Sequence, residues 1–365
     1  MNTIARSIKS LDDWVENNGW EGYDPYDIKG NKLFLAMEEN ILTRYISHRL
    51  TDRFPLSFRK IINLKKTVNA KAMGLFASGY LNLFIKMDNT DYFEKAQYCL
   101  DWLENNSCSG YSGFCWGYPF DWRSKVFIPK NTPSSVVTTI VAKAFLEMYD
   151  LTQDEKYLRI AQSSCEFLVH DLNIDYLDER RICFSYTPID NFHVHNANLF
   201  SASLLCRVGK IVNNSHYMDL SMRAVEYAVG EQNPDGSWYY WGPPDKILNH
   251  IDNYHTGFVL RSLYEIYSIN GDVQVKHALD RGYKYYVENL FQEGMIPKLT
   301  NSKLYPIDIH SCSEAIICLS ELKDEYRDSE KMLFDITGWI IDNMQDKEGY
   351  FYYRKYQNRI IKIPY

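Results

Sequence analysis

Residues 13–18 read DWVENN, and residues 101–106 read DWLENN. The second copy ends the stretch YFEKAQYCLDWLENN, whose apolar residues recur at helical spacing and predict an amphipathic helix. Similar helix endings follow along the chain. Each carries an aromatic residue at the corresponding place: Trp14, Trp102, Phe167, Tyr227, Tyr285 and Trp339. From the second copy onward these residues recur at intervals of roughly sixty positions, which indicates an internal repeat.

Each repeat continues in the same way. The amphipathic helix is followed by a segment rich in Gly and aromatic residues, and then by a nearly apolar helix such as PSSVVTTIVAKAFLEMY (133–149). A helix that is apolar all round is buried on every side, whereas an amphipathic helix faces solvent. Five or six outer–inner helix pairs that close on themselves predict an all-α fold, an (α/α)6 toroid. We expect a single domain over residues 1–365, with short aromatic hairpins at one end.

The C-terminal repeat is incomplete. After the sixth outer helix (330–344) and its aromatic segment, the sequence ends at Ile363-Pro364-Tyr365, and no sixth inner helix follows. Three explanations stay open. The stretch NKLFLAMEENILTRYI (31–46) fills the place of the missing helix, a partner fills it, or the chain is truncated.

The composition limits the classes of partner. Hydrophobic residues make up 45% of the 365 residues and aromatic residues 15%, which suits both a large core and a surface that stacks on ligands. The net charge of −7 argues against nucleic acid or an anionic membrane as the main partner. We find no signal-peptide pattern, no apolar run of membrane-spanning length and no CxxC pair. A cytoplasmic protein with reduced cysteines and without a metal or other cofactor is expected.

Titratable residues collect where three inner helices begin, in IDNFHVHNAN (189–198), NHIDNYHTG (249–257) and IDIHSCSE (307–314). An Asp just before a helix is a natural N-cap. Capping does not require His, however, and a helix N-terminus favours the neutral imidazole that general-base chemistry needs. The candidate catalytic residues are His193, His255, His310, Asp190, Asp252, Asp308 and Tyr254, and the three Asp residues are also the predicted N-caps.

Aromatic residues crowd the segments before the inner helices, as in NPDGSWYYWG (233–242). Because alternate residues of a hairpin face opposite sides, some rings should pack inward and others should face a ligand. We expect the helix N-termini and these rings to meet at one end as a funnel. The predicted substrate-binding residues are Trp116, Asp121, Trp238, Tyr240 and Asn196. The two Trp rings are expected to stack on the ligand.

Several sequence blocks together carry a family resemblance: GWEGYDPYD (19–27), GFCWGYPFDW (113–122), HNANLF (195–200), and NPDGSWYYW (233–241) followed by IDNYHTGF (251–258). They resemble bacterial exopolysaccharide biosynthesis proteins of the VpsJ type, which are similar in fold to six-hairpin glycosidases. These proteins accompany glycosyltransferases in capsule or biofilm gene clusters. The resemblance implies a role in cell-surface polysaccharide synthesis. Members usually continue past IPY with a further helix, and this sequence departs from them there.

The leading hypothesis is a carbohydrate-active protein that binds an oligo- or polysaccharide, including one that contains uronate, and acts on it by acid–base chemistry. Hydrolysis would use two of the carboxylates, whereas elimination or epimerisation would use a His or Tyr base. One alternative is a non-catalytic glycan-binding or scaffold subunit that works with other polysaccharide-synthesis proteins. Another is a terpene cyclase or prenyltransferase, suggested by one QxxDGSW motif (232–238) without the acidic motif of a cyclase.

Overall fold

The computed structural model describes residues 3–38, 51, 53–243 and 250–364. Its α-helices are, in chain order, α1 Thr3–Asn18, α2 Lys32–Glu38, α3 Pro55–Ile61, α4 Ala70–Met87, α5 Thr90–Asn105, α6 Ser135–Thr152, α7 Glu155–His170, α8 His195–Ile211, α9 Ser215–Gly230, α10 Asn253–Asn270, α11 Val273–Asn289, α12 Ile309–Leu322 and α13 Asp328–Met344. None of the helices in these ranges combines the length and apolar character that crossing a membrane requires.

Consecutive helices pair as hairpins: α4 with α5, α6 with α7, α8 with α9, α10 with α11, and α12 with α13. In every pair the first helix has the larger buried fraction, because its apolar residues occur on all sides, while the second keeps a solvated face. The predicted alternation of outer and inner helices is confirmed. All eight cysteines are free thiols, and all except Cys108 are buried.

In the described ranges, short strands follow four of the outer helices. They are β1 Trp122–Arg123, β2 Phe127–Ile128, β3 Ile174–Tyr176, β4 Ile182–Phe184, β5 Phe291–Gln292, β6 Ile296–Pro297, β7 Ile307–Asp308, β8 Tyr352–Tyr356 and β9 Arg359–Pro364. The first three pairs are two-stranded antiparallel ladders, and the last three strands form one antiparallel sheet in the order β7-β8-β9. The strand β8 thereby pairs with the strand that leads into α12.

The stretch NPDGSWYYWG forms a turn from which Trp238 packs into the interior. The N–H of Gly236 donates to the carbonyl of Asn233 at 2.9 Å, and φ of Gly236 is +95°, in the region that favours glycine. Trp238 then packs into the interior beside Gly282, where a Cβ would come within 2.6 Å of the indole. This turn is therefore first of all a packing device.

Two compact units make up the chain. The first comprises Met1–Lys66, Glu231–Tyr240 and Lys246–Tyr365, and it contains α1 to α3 and α10 to α13. The second comprises Thr67–Gly230 and Trp241–Asp245, with α4 to α9. The single-domain organisation stays a prediction. Of the segment 31–46, the helix α2 covers 32–38, and residues 39–46 lie outside the described residues.

Candidate active site

The first turn of α10, in the first unit, holds a carboxylate and an imidazole together. Asp252 is the N-cap of α10, and its Oδ1 accepts the backbone N–H of His255 at 2.9 Å. Its Oδ2 lies 2.7 Å from Nδ1 of His255 and 2.9 Å from Nε2 of His250. Asp252 is buried, while the side chain of His255 is 18% exposed. The predicted cap is confirmed, and two imidazoles share one carboxylate oxygen.

These contacts keep Asp252 ionised. Burial by itself would raise the pKa of this carboxyl, but the charge of His255 and hydrogen bonds from both imidazoles outweigh burial and lower the pKa. An ionised carboxylate can only accept hydrogen bonds, so Nδ1 of His255 carries the proton that faces it. In the neutral ring, Nε2 of His255 is then the basic nitrogen.

The start of α12 repeats the arrangement with a different counter-ion. Asp308 is the N-cap and accepts the backbone N–H of His310 at 3.0 Å. Arg354 on β8 donates its Nε–H to Oδ2 of Asp308 at 2.7 Å. Burial raises the pKa of Asp308, and the charge and hydrogen bond of Arg354 act against that rise. The cap predicted for Asp308 is confirmed, and its charge is balanced by an arginine.

The ring of Tyr254 contacts both imidazoles. Its centroid lies 4.0 Å from that of His255 and 4.4 Å from that of His310, to which it is nearly parallel at 14°. The ring of Tyr240 lies 4.2 Å from that of His255. Burial raises the pKa of Tyr254 well above its usual value, so the phenol keeps its proton. We refer to Tyr254, His255 and His310 as the histidine–tyrosine cluster.

Three side chains, one of them the cluster residue His255, could hold a metal ion. In the described part of the chain, one ligand atom each from His250, Asp252 and His255 lie within 4.8 Å of one another. Two imidazole nitrogens and a carboxylate oxygen suit a divalent transition metal. Both nitrogens already face the same oxygen of Asp252, however, so hydrogen bonding satisfies these groups without an ion. The absence of a metal cofactor stays a prediction.

In the second unit, Asp190 does not cap a helix, and that prediction is wrong. The N-cap of α8 is Val194, which makes no side-chain cap. The carboxylate of Asp190 instead accepts the backbone N–H groups of Tyr186, Thr187 and Phe192, and the hydroxyl of Thr187. Burial raises the pKa of Asp190, and these hydrogen bonds oppose the rise. The residue closes the turn that precedes α8.

The two histidines that precede or begin α8, His193 and His195, are buried. Nε2 of His193 lies 2.9 Å from Oδ2 of Asp175, and Nδ1 lies 3.3 Å from the hydroxyl of Tyr227. His195 stacks on the same Tyr227 ring at 5.6 Å, and Asn196 is buried beside it in the first turn of α8. With both ring nitrogens of His193 engaged and its side chain 5% exposed, this arrangement favours a structural role for it.

Two predicted stacking rings lie in the interior, which corrects the expectation that they contact a ligand. Trp116 is 1% exposed, and its indole N–H donates to the carbonyl of Leu103 at 2.9 Å. Trp238 is 3% exposed. A ring buried among the chain's own side chains has no face left for a sugar. Asp121 accepts the backbone N–H of Lys130 at 2.7 Å and so closes the loop around β1 and β2.

Sequence reasoning missed two charged residues, Arg354 and Asp175. Arg354 was part of the last aromatic segment, but the sequence does not reveal that β8 pairs with β7 and brings it opposite Asp308. Asp175 lies on β3 and reaches His193 from 18 residues away. Both contacts depend on strand positions, for which the motifs gave no signal.

No protein-family model matches the sequence, and no curated protein matches it. Solved structures do match it. A cellobiose 2-epimerase from Bacillus thermoamylovorans is 11% identical, with a TM-score of 0.64 over 82% of this chain and 84% of the epimerase. A GH76 α-mannanase from Bacteroides thetaiotaomicron is 13% identical, with a TM-score of 0.57 over 81% and 78%. An unsaturated glucuronyl hydrolase specific for heparin is 13% identical, with a TM-score of 0.59 over 80% and 81%.

These structures have the six-hairpin (α/α) toroid fold, so the predicted fold class is confirmed. At such low identity the likeness concerns the fold alone. The three enzymes carry out different reactions on this fold, which therefore does not specify the chemistry. The similarity to six-hairpin glycosidases is confirmed as a similarity of fold, whereas the VpsJ-type resemblance receives no support from these comparisons.

Proposed function

We propose that this chain is a carbohydrate-active enzyme that moves a proton on a sugar with the histidine–tyrosine cluster. One observation carries the proposal: two partly exposed imidazoles, His255 and His310, lie against the ring of Tyr254 at the starts of two neighbouring inner helices. The fold supports the substrate class, because epimerases, a mannanase and a glucuronyl hydrolase are built on it. The reaction type is inferred from the side chains.

The carboxylates favour proton transfer over hydrolysis by an acid pair. A glycosidase of the usual kind needs one carboxylic acid and one carboxylate facing the glycosidic bond. Asp252 is bound by two imidazoles, Asp308 by Arg354, and Asp190 by the donors of its own turn. Their oxygens are therefore engaged, and the imidazoles are the better placed acid–base groups.

Each member of the cluster then has a role. His255 is the candidate general base, because Asp252 holds the proton on Nδ1 and leaves Nε2 basic. His310 lies at a helix N-terminus and is the second proton carrier, with the protonated phenol of Tyr254 between the two rings. A base and an acid near one carbon are what epimerisation or isomerisation requires. Elimination uses the same pair and transfers the second proton to the leaving oxygen.

The setting we propose is cell-surface polysaccharide synthesis. It is supported by the sequence blocks that resemble exopolysaccharide biosynthesis proteins. A non-catalytic glycan-binding subunit remains the alternative function. It would use the same cluster to hold a sugar without turnover, so exchange of carbon-bound hydrogen separates the two.

The test is incubation with neutral and uronate-containing oligosaccharides in heavy water, followed by NMR and mass spectrometry. We expect deuterium at one sugar carbon, with or without cleavage, and about 10²- to 10⁴-fold less of it with His310→Gln. The matched control is His277→Gln, an exposed His on α11 of the same unit, which should behave like the wild type. Cleavage with uptake of water and no carbon-bound deuterium would indicate a hydrolase and contradict the proposal. Binding without any exchange would indicate the glycan-binding subunit.

A further inference from the structure

Strand register places Arg354 beside Asp308, the N-cap of the helix that carries His310. Arg354 is directly opposite Asp308 in the β7–β8 ladder, so the two side chains lie on the same face of the sheet. Its Nε–H donates to Oδ2 of Asp308, which caps the helix that carries His310. Tyr254, which stacks on His310, also hydrogen-bonds to Tyr26. One carboxylate therefore fixes both the guanidinium and the start of α12.

The remaining donors of this guanidinium make no hydrogen bond in the part of the chain that the structure describes. Arginine offers five N–H donors in a planar fork. Nε uses one of them, and neither Nη1 nor Nη2 forms a hydrogen bond within the described residues. The guanidinium carbon lies 4.5 Å from the ring centroid of Tyr353, and the side chain is 25% exposed. An arginine that serves only as an ion-pair partner frequently makes two parallel hydrogen bonds. In the described part of the chain this guanidinium makes a single hydrogen bond, through Nε, so its Nη pair can bind another acceptor.

The neighbouring groups suit an anionic ligand. The charge of Arg354 acts on the phenol of Tyr26, and the ammonium of Lys29 lies 4.4 Å from the centroid of the same ring. The nearby carboxylates have partners of their own. Asp308 is paired with Arg354, and Asp24 accepts the backbone N–H of Tyr26 at 2.9 Å. Among the described residues, Asp308 is the carboxylate bonded to Arg354, so the Nη pair can donate to a second carboxylate.

We propose that Arg354 binds the carboxylate of a uronate residue, so that the substrate is a uronate-containing saccharide. The inference rests on the proposed function and names the substrate class of the same site. A planar fork of two Nη groups matches the two oxygens of a carboxylate, which a neutral sugar lacks. Asp308 holds the guanidinium in place through the hydrogen bond from Nε.

This contact supplies what acid–base chemistry at a uronate requires. The base removes the proton on C5, and the electron pair of that C–H bond moves into the carboxylate as an enediolate. In epimerisation the pair returns to C5 and takes a proton on the opposite face. In elimination it forms the C4–C5 double bond, the C4–O bond breaks, and the acid protonates the leaving oxygen. In both cases the bound guanidinium stabilises the added negative charge.

The experiment measures binding by calorimetry, so that it does not depend on turnover. The probes are trisaccharides of galacturonate, mannuronate and glucuronate, each beside its carboxyl-reduced neutral form. We expect the wild type to bind at least one uronate form and to bind its neutral form at least about tenfold more weakly, since a hydrogen bond to a charged group is lost. Arg354→Ala should weaken binding of that uronate about 10- to 100-fold and leave the neutral form unchanged.

Two further variants guard against an unfolding artefact. Arg354→Lys keeps the charge but removes the fork, so it should restore only part of the affinity. Arg359→Ala removes a guanidinium on the neighbouring strand β9 and should bind like the wild type. Equal binding of uronate and neutral forms, an unaffected Arg354→Ala, or no binding to any uronate would overturn the inference. Deuterium exchange is read separately. Exchange on a neutral sugar alone would support the proposed function and contradict the uronate as substrate. Binding of a uronate that depends on Arg354, without any exchange, would support the uronate as ligand and contradict the proposed function.

Discussion

Residues 189–193 read IDNFH and residues 251–255 read IDNYH, yet the structure uses these two pentapeptides differently. In the second, helix α10 begins directly after Asp252, whose carboxylate caps it and pairs with His255. In the first, helix α8 begins at His195, and Asp190 lies in the turn ahead of it. Two nearly identical pentapeptides are therefore placed differently relative to the helix start: α10 begins inside the second, whereas α8 begins two residues after the first.

The difference arises from what competes for the carboxylate. Thr187 donates both its backbone N–H and its hydroxyl to Asp190, and two more backbone N–H groups complete the turn. That carboxylate is committed before α8 begins, so His193 stays outside the helix and turns to Asp175. Helix register, rather than the motif, therefore decides whether a junction histidine remains partly exposed.

Substitution of His255 should change the rate of deuterium exchange far more than substitution of His193. His255→Gln should reduce deuterium exchange into the sugar about 10²- to 10⁴-fold, because it removes the proposed base. His193→Gln should keep the rate within a few-fold of the wild type once the folded fraction is taken into account, since His193 is buried and both of its ring nitrogens are engaged by Asp175 and Tyr227. The measurement is the exchange rate, with circular dichroism to verify folding. An equal loss in both variants would mean that the junctions share one function.

A second comparison concerns stability. Asp190→Ala should lower the free energy of unfolding by about 3 kcal/mol, because several buried donors lose their acceptor. Asp252→Ala should cost about 1–2 kcal/mol, the usual range for a lost cap. Urea unfolding measures both, with Asp219→Ala as a control, since that exposed residue makes a long 3.7 Å ion pair with Arg223. If Asp252→Ala lowered the free energy of unfolding more than Asp190→Ala, the carboxylate of Asp252 would contribute more to stability than capping α10 alone explains.

The helical architecture could be predicted because it depends on the pattern of residues that are close together in the sequence. Each inner helix is apolar on every face and each outer helix on one, and this periodicity needs no knowledge of distant contacts. The caps at Asp252 and Asp308 could be predicted for the same reason, since a cap acts within three residues of the helix it begins. Asp190 has the same local signature, and only the structure shows the turn at Thr187 that competes for its carboxylate.

The directions of the aromatic side chains could not be predicted. Trp238 and Tyr240 are two residues apart in one turn, yet the first is buried beside Gly282 while the second lies against His255. A strand would place both on the same side, but residues 237–240 do not form a strand. Arg354 could not be assigned either, since its partner Asp308 is 46 residues away and the contact depends on strand register.

The smallest expected effect is a pair of opposite pH dependences at the two junctions. The pKa of Asp252 is lowered in the folded state, so its stabilising contribution is complete above the unfolded value of about 4 and is lost as pH falls further. The pKa of Asp190 is raised, so the folded chain takes up this proton first, and stability gains as pH falls toward about 4. We expect the free energy of unfolding of the wild type, relative to Asp252→Asn, to stay constant from pH 7 to pH 5 and to fall below pH 4.

Relative to Asp190→Asn, the free energy of unfolding of the wild type should rise on acidification. Urea titrations at each pH measure both differences, and slopes of the same sign would show that the two carboxylates share one environment.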